Sequence, residues 1–233
     1  MGFSAGQGLD RLGGRAMTRA CGSAIAPLAT SPRLSHLRMS MARTRAFDEE
    51  EVLDRAMALF WRKGFEATSI EELVSVSGIN RASMYAAFGD KRRLFIAVLD
   101  HYLARVNAER LAILSRDGSA IAAIGGFFDA IIIAATGPER HLGCLITNTL
   151  TEIAPTDPEI AAKLQTSLKR IEKAFAEIIR RGQDMGEIAP GKDARALARF
   201  LVGVAQGLRV LARSGTAEPT LRDIVTTALT TLG

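Results

Sequence analysis

The stretch 68–91, TSIEELVSVSGINRASMYAAFGDK, leaves this chain little structural freedom. It holds two short segments of helical period separated by a glycine. Thr68 is a strong N-cap, and Glu71 three residues on completes a capping box. Ile70, Leu73 and Val74 give this helix one apolar edge. Gly78 supplies the left-handed residue that ends it. Asn80 is a second N-cap two residues later. The next helix opens with Arg81, Ala82 and Ser83 and carries Met84, Tyr85 and Phe88 behind them. A short helix, a Gly-containing turn and a helix with small, polar and basic residues at its start form the helix-turn-helix pattern. In that motif the second helix lies in the major groove and its first residues meet base edges. A third helix starts at once: Asp90 caps it, and Lys91, Arg92 and Arg93 fill its first turn. Cations there oppose the helix dipole. A phosphate reverses the sign, because free N–H groups and a Lys would both face an anion. A solvated charge run is the alternative; beside the turn motif, the phosphate reading is preferred.

Phe60, Gly64-Phe65, Thr68-Ser69, Gly78-Ile79, Tyr85, Phe88, Lys91 and Leu94 resemble, in order and spacing, the DNA-binding domain of the TetR family of bacterial regulators. The resemblance spans about 47–99 without gaps. Ala86-Ala87 follow Tyr85, where the family often has His or another aromatic. The expected DNA contacts are Thr68, Ser69, Asn80, Arg81, Ala82, Ser83, Tyr85 and Lys91. Of these, Arg81, Ala82 and Ser83 are placed towards base edges, and Thr68, Tyr85 and Lys91 towards phosphates.

Net charge does not make the DNA case. Of the overall +5, residues 1–41 hold five Arg and one Asp, whereas 42–100 hold nine basic and ten acidic residues. The helix-turn-helix region is not basic overall, so the case rests on where single charges sit. Residues 1–41 are rich in Gly, Ser, Arg and Ala without sustained periodicity. They read as a disordered tail, dispensable for folding; a transit peptide is the less favoured reading. Domain limits are expected at 42–92 for the DNA-binding domain and 93–233 for a helical regulatory and dimerisation domain.

The fold class expected is all-α. A first helix over 48–63 starts at Asp48, with Glu49, Glu50 and Glu51 at its positive end. A long helix over 90–115 would span roughly 37 Å at 1.5 Å per residue. It is the natural lever between the two halves. Residues 119–135 read as a helix apolar almost all round, hence central and buried. Further helices are expected over 142–154, 158–183 (Pro158 at its first position), 193–214 and 220–232.

Gly143-Cys144-Leu145, followed by a helix with Thr147, Asn148, Thr151 and Glu152, resembles the regulatory domain of many TetR-family members. Cys144, Thr147, Asn148 and Thr151 form one polar-leaning stripe. Facing inward beside Phe127, Phe128 and Phe175, it would suit a ligand pocket, mostly apolar with a few directional groups. The alternative is a stripe facing solvent or another helix. Cys144 reads as a buried inert thiol or, given a lowered pKa and access, a sensor. Gly203 and Gly207 lie one turn apart inside a helix, where each costs about 1 kcal/mol relative to Ala. They imply close packing, either within one subunit or, as the resemblance suggests, in a four-helix bundle between two subunits.

Two function classes are in play. One is a ligand-responsive, homodimeric DNA-binding regulator, more often a repressor in this family, with double-stranded DNA and a small-molecule effector as partners. The other is a helical enzyme or interaction module that carries a helix-turn-helix. No GxSxG, HExxH or P-loop occurs, so the chain reads as no enzyme. Three His in no ligand spacing give no metal site, and no cofactor is expected. Two cysteines, Cys21 and Cys144, suit a reducing cytoplasm, and no run of 18 apolar residues calls for a membrane.

Overall fold

The computed structural model describes residues 47–137 and 140–233. The expected tail, 1–41, lies outside them, as does Cys21. The described residues are all-helical. In chain order the helices are α1 (Glu49–Lys63), α2 (Ile70–Ser77), α3 (Arg81–Phe88), α4 (Lys91–Leu114), α5 (Ala120–Thr136), α6 (Leu145–Glu152), α7 (Pro158–Asp184), α8 (Ala194–Arg213) and α9 (Glu218–Thr230). A 3-10 turn, Arg140–Leu142, precedes α6.

Most boundaries follow from local capping. Asp48, Asn80, Asp90, Ser119, Asp157 and Asp193 each accept a backbone N–H in the first turn of the helix that follows. One cap is shifted from expectation. Ser69, not Thr68, caps α2; its hydroxyl accepts from Glu72 N, and the Glu72 carboxylate accepts from Ser69 N. The capping box is therefore Ser69–Glu72. Lys63 also donates to Glu72, and these bonds hold its carboxyl at about 2. The expected helix over 142–154 is broken at its start. Gly143 sits at φ +68°, and a helix proper begins only at Leu145. The α5 helix is less enclosed than its composition suggests, because Ile133 is 68% exposed.

The side chains form two cores that do not divide at residue 92. One core joins α1, α2, α3 and the first half of α4 to α6 and the start of α7. Leu73, Met84, Phe88, Phe95 and Leu99 meet Leu145, Ile146, Ile160 and Leu164 there. The other core joins α5, the second half of α7, α8 and α9. Helices α4 and α7 run through both. Where they cross, buried Asn107 and Ser167 hydrogen-bond reciprocally, Nδ2 to Oγ at 2.9 Å and Oγ to Oδ1 at 3.3 Å. Both polar groups are thereby satisfied inside the protein.

Arg92 ties α4 to the beginning of α7. Its guanidinium donates to both Asp157 oxygens, at 2.7 and 2.9 Å, and to Glu159 at 2.7 Å. The Arg92 hydrogen bonds hold the Asp157 carboxyl at about 2. This contribution to stability is complete above the ordinary carboxylate range and is lost as pH falls towards about 2.

Gly182 marks the tightest helix approach. A Cβ there would lie 2.7 Å from Ile188 Cδ1 and 2.8 Å from the Ala120 methyl, which its own backbone fixes. Gly182→Ala should therefore destabilise the fold by about 1–3 kcal/mol, measured as a lower urea midpoint at unchanged slope. An unshifted midpoint would show that α5 and α7 can separate freely.

Candidate nucleic-acid interface and effector cavity

The two helices of the motif meet at the turn around Gly78, which is left-handed at φ +73°. Arg55 of α1 closes that turn from behind, donating to Ser77 O at 3.5 Å. The buried backs of the motif are Leu73, Met84 and Phe88. Its outer face carries Arg81 and Ala82, both exposed, with half-buried Ser83 beside them. Asn80 Oδ1 is engaged in capping Ser83 N at 2.8 Å. Arg81 is held across the face of the motif. It pairs with Glu71 of α2 at 2.9 Å, and its other terminal nitrogen donates to the Tyr85 hydroxyl at 3.5 Å. Tyr85 is 39% exposed and lies under the same guanidinium. Lys91 donates to Glu66 O at 3.3 Å and stands 4.4 Å from the centre of the Phe65 ring. An exposed ion pair such as Arg81–Glu71 is weak, so the guanidinium can exchange this partner for another.

Of the expected contacts, Thr68 does not belong to this face. It is 1% exposed, and its hydroxyl donates to Gly64 O at 2.6 Å. It fastens the loop between α1 and α2 from inside. Arg92, one of the three basic residues at the start of α4, is likewise committed to α7 rather than to the outer face.

Behind the motif lies a cavity of about 290 Å³. Its walls come from α1 (Met57, Trp61), α4 (Tyr102, Val106, Arg110), α5 (Ala130, Ala134, Ala135), the Cys144 turn and α8 (Arg209, Ala212). Cys144 alone of the expected ligand residues lines it. Phe127, Phe128 and Phe175 pack on one another, with ring centroids 4.7 to 6.1 Å apart, and fill the second core. Thr147 donates to Gln206 at 2.8 Å. Asn148 donates to Leu142 O and accepts from Arg213. Thr151 bonds back to its own helix. The polar stripe is thus spent on helix packing, and large rings went to the core because their area is worth most there.

Burial alone would push the Cys144 thiol up. The charges of Arg209 and Arg110, with hydrogen bonds from Thr147 N and the Tyr102 hydroxyl, bring it down to about 7. Tyr102, buried and 3.6 Å from Sγ, is pushed up by that burial. Arg209 is 8% exposed, with one hydrogen bond, to Ala205 O.

Three contacts join this region to the motif. Trp61 Nε1 donates to Leu142 O at 3.1 Å. Glu152, at the end of α6, accepts from Glu66 N at 3.0 Å. It reaches the loop because Gly64 has no side chain: a Cβ there would lie 2.7 Å from the carboxylate. The Arg92 pairs are the third.

Comparison with known proteins agrees with this arrangement. Residues 52–98 match the family model "Bacterial regulatory proteins, tetR family", and residues 120–229 match "Tetracyclin repressor-like, C-terminal domain". This chain belongs to the TetR family. The HTH-type transcriptional repressor ComR of Escherichia coli K12 is 34% identical over 194 residues, covering 83% of this chain and 92% of that protein. The uncharacterised HTH-type regulator YezE of Bacillus subtilis 168 is 36% identical over 193 residues, 82% of this chain and all of YezE. Among solved structures, a cysteine mutant of the TetR-family regulator CifR, complexed with 26-base-pair operator DNA, superposes with a TM-score of 0.72 at 32% identity. That likeness covers 80% of this chain and 98% of the other. As a TetR-family member the chain is a transcriptional regulator and not an enzyme.

Sequence reading of this TetR-family regulator missed Arg110 and Arg209. Arg209 carried a signal: it falls in register with the buried α8 positions Leu201, Ala205, Leu208 and Ala212, where an arginine is out of place. Arg110 carried none, being one of many charges near the end of α4.

The position of Thr68 has a direct consequence. Thr68→Val keeps the shape but strands the Gly64 carbonyl. It should cost about 1–2 kcal/mol of stability while leaving the salt dependence of DNA binding unchanged. A change in salt slope without loss of stability would return Thr68 to the interface.

Proposed function

We propose that this TetR-family regulator is a ligand-responsive transcriptional repressor that binds a near-palindromic operator as a homodimer and is released by a small molecule. The observation that carries the reading is the outer face of α3. Arg81, Ala82 and Ser83 stand on the first turn of a helix whose back is buried, with Lys91 at the start of α4 nearby. Arg81 is placed for a base edge, Tyr85 and Lys91 for phosphates, and Ser69 and Asn80 flank them at helix starts. ComR is a repressor by name, and CifR is described on operator DNA, which supports the same role here. No single described helix is long and apolar enough to cross a membrane, and a regulator that acts on bacterial DNA would work in the cytoplasm.

The effector site is the cavity that Cys144 lines. Release would run through α6, since Glu152 and Leu142 touch the loop and helix in front of the motif. Reciprocity then requires that operator binding weaken effector binding by the same factor.

Arg81→Ala should relax preference at one symmetric pair of base positions by roughly 5- to 100-fold. Lys91→Ala should weaken operator and random duplex alike and lower the slope of log affinity against log salt by about one per contact. Binding to operator and scrambled DNA at several salt concentrations separates the two. Unchanged base preference in Arg81→Ala would sink the major-groove docking of α3.

The dimer reading rests on α8. A Cβ on Gly203 or Gly207 would meet nothing within 4 Å, so neither glycine serves packing inside the subunit. Phe200, Val210 and Leu211 are exposed beside them. Gly207→Arg should leave helical circular dichroism intact, convert the dimer to monomer by sedimentation and weaken operator binding at least tenfold. A dimer that survives this change would move the interface elsewhere.

A further inference from the structure

The cavity is apolar in most of its wall and strongly one-sided in charge. Four arginines reach it, Arg105, Arg110, Arg140 and Arg209, against one carboxylate, Glu109. Arg105 is spoken for, paired with Asp54 at 2.9 Å. Arg110 and Arg209 are not: neither forms an ion pair with a carboxylate of the described residues. For Arg209 this is costly. A guanidinium nine-tenths buried needs a countercharge and several acceptors, and it has one backbone carbonyl. A buried cation left open towards a cavity matches a ligand that brings the missing anion.

We propose that the cavity takes a small organic anion, its carboxylate, sulfonate or phosphate head held by Arg110 and Arg209 and its apolar body against Trp61, Val106 and the alanines of α5. This rests on the reading that the cavity is the effector site, and it names the effector's chemical class. A volume of about 290 Å³ restricts the body to one or two rings or a short chain.

Cys144 completes the charge balance. The Cys144 thiol, lowered to about 7, offers the two arginines a resident anion when no ligand is bound. Tyr102, pushed up by burial, stays a neutral phenol; the other charged groups that face the cavity are the Glu109 carboxylate and the guanidinium groups of Arg105, Arg110, Arg140 and Arg209. Raising pH through about 7 therefore adds one negative charge beside the anion's place, and anion affinity must fall. By linkage, a bound anion must raise the thiol's pKa.

The test uses the full chain and two fluorescent probes that share one naphthalene: 5-(dimethylamino)naphthalene-1-sulfonate, which is anionic at all working pH, and neutral 5-(dimethylamino)naphthalene-1-sulfonamide. Probe fluorescence gives the affinity, and quenching of Trp61, the chain's single tryptophan, reports occupancy. The sulfonate should bind once per chain, at least tenfold tighter than the neutral probe. Arg209→Gln and Arg110→Gln should each weaken the sulfonate at least fivefold and leave the neutral probe within twofold. Ala130→Phe, which fills the cavity, should remove both. Sulfonate affinity should fall as pH rises through about 7, and Cys144→Ser should flatten that fall. If the neutral probe binds as tightly as the sulfonate and Ala130→Phe removes it, the cavity stands and the anion is overturned. If Ala130→Phe removes neither probe, the effector site itself is misplaced and the inference falls with it. A flat pH profile in the unmodified chain overturns the role given to Cys144.

Discussion

The hold of α6 on the motif is the contact on which the rest depends. Helices α2 and α3 have eight residues each, too few to be stable alone in water. They are helical because their backs are buried against α1 and α4. That core is completed by Leu145, Ile146 and Ile153 from α6 and its flank, and by Ile160 and Leu164 from α7. The surface that meets DNA is thus set by residues from the half that holds the cavity. Glu152 on Glu66 N, Trp61 on Leu142 O and Arg92 on Asp157 fix the same junction with directional bonds. A shift of α6 is at once a shift of the loop that precedes α2, with no longer path required.

Charge in this molecule is used by place rather than by quantity. The motif has no excess of positive charge, and its Arg81 is balanced by Glu71 on the neighbouring helix. The cavity is the reverse case: four arginines reach it against one carboxylate, and the buried Arg209 and its neighbour Arg110 pair with no described carboxylate. In water such an imbalance is screened within about 10 Å. In a buried site it is not, and Arg209 and Arg110, together with the hydrogen bonds from Thr147 N and Tyr102, outweigh the effect of burial on Cys144.

What could be read from the sequence was what local chemistry decides. Asp48, Asn80, Asp90 and Asp157 cap helices because an oxygen two or three residues from a free N–H needs no tertiary help. The slip at Thr68 came from a local tie: Thr68 and Ser69 are both good caps, and each has Glu three residues on. Burial of Thr68 against Gly64 broke the tie, and burial is not local. The cavity was missed for the same reason. Phe127, Phe128 and Phe175 had the right composition for a pocket wall, yet which face of α5 turns to α7 is a tertiary fact. The expected division at residue 92 likewise followed a motif's edge, whereas α4 and α7 thread both cores.

The alanines of the cavity, Ala130, Ala134 and Ala135 on α5 and Ala212 on α8, set its width by what they lack. A larger side chain at half-buried Ala130 or Ala135 would grow into that space. Relatives with this backbone could then recognise chemically distinct molecules through one or two such exchanges while their operator-reading face stayed as it is. Divergence of signal and conservation of target would be separable at the level of single codons.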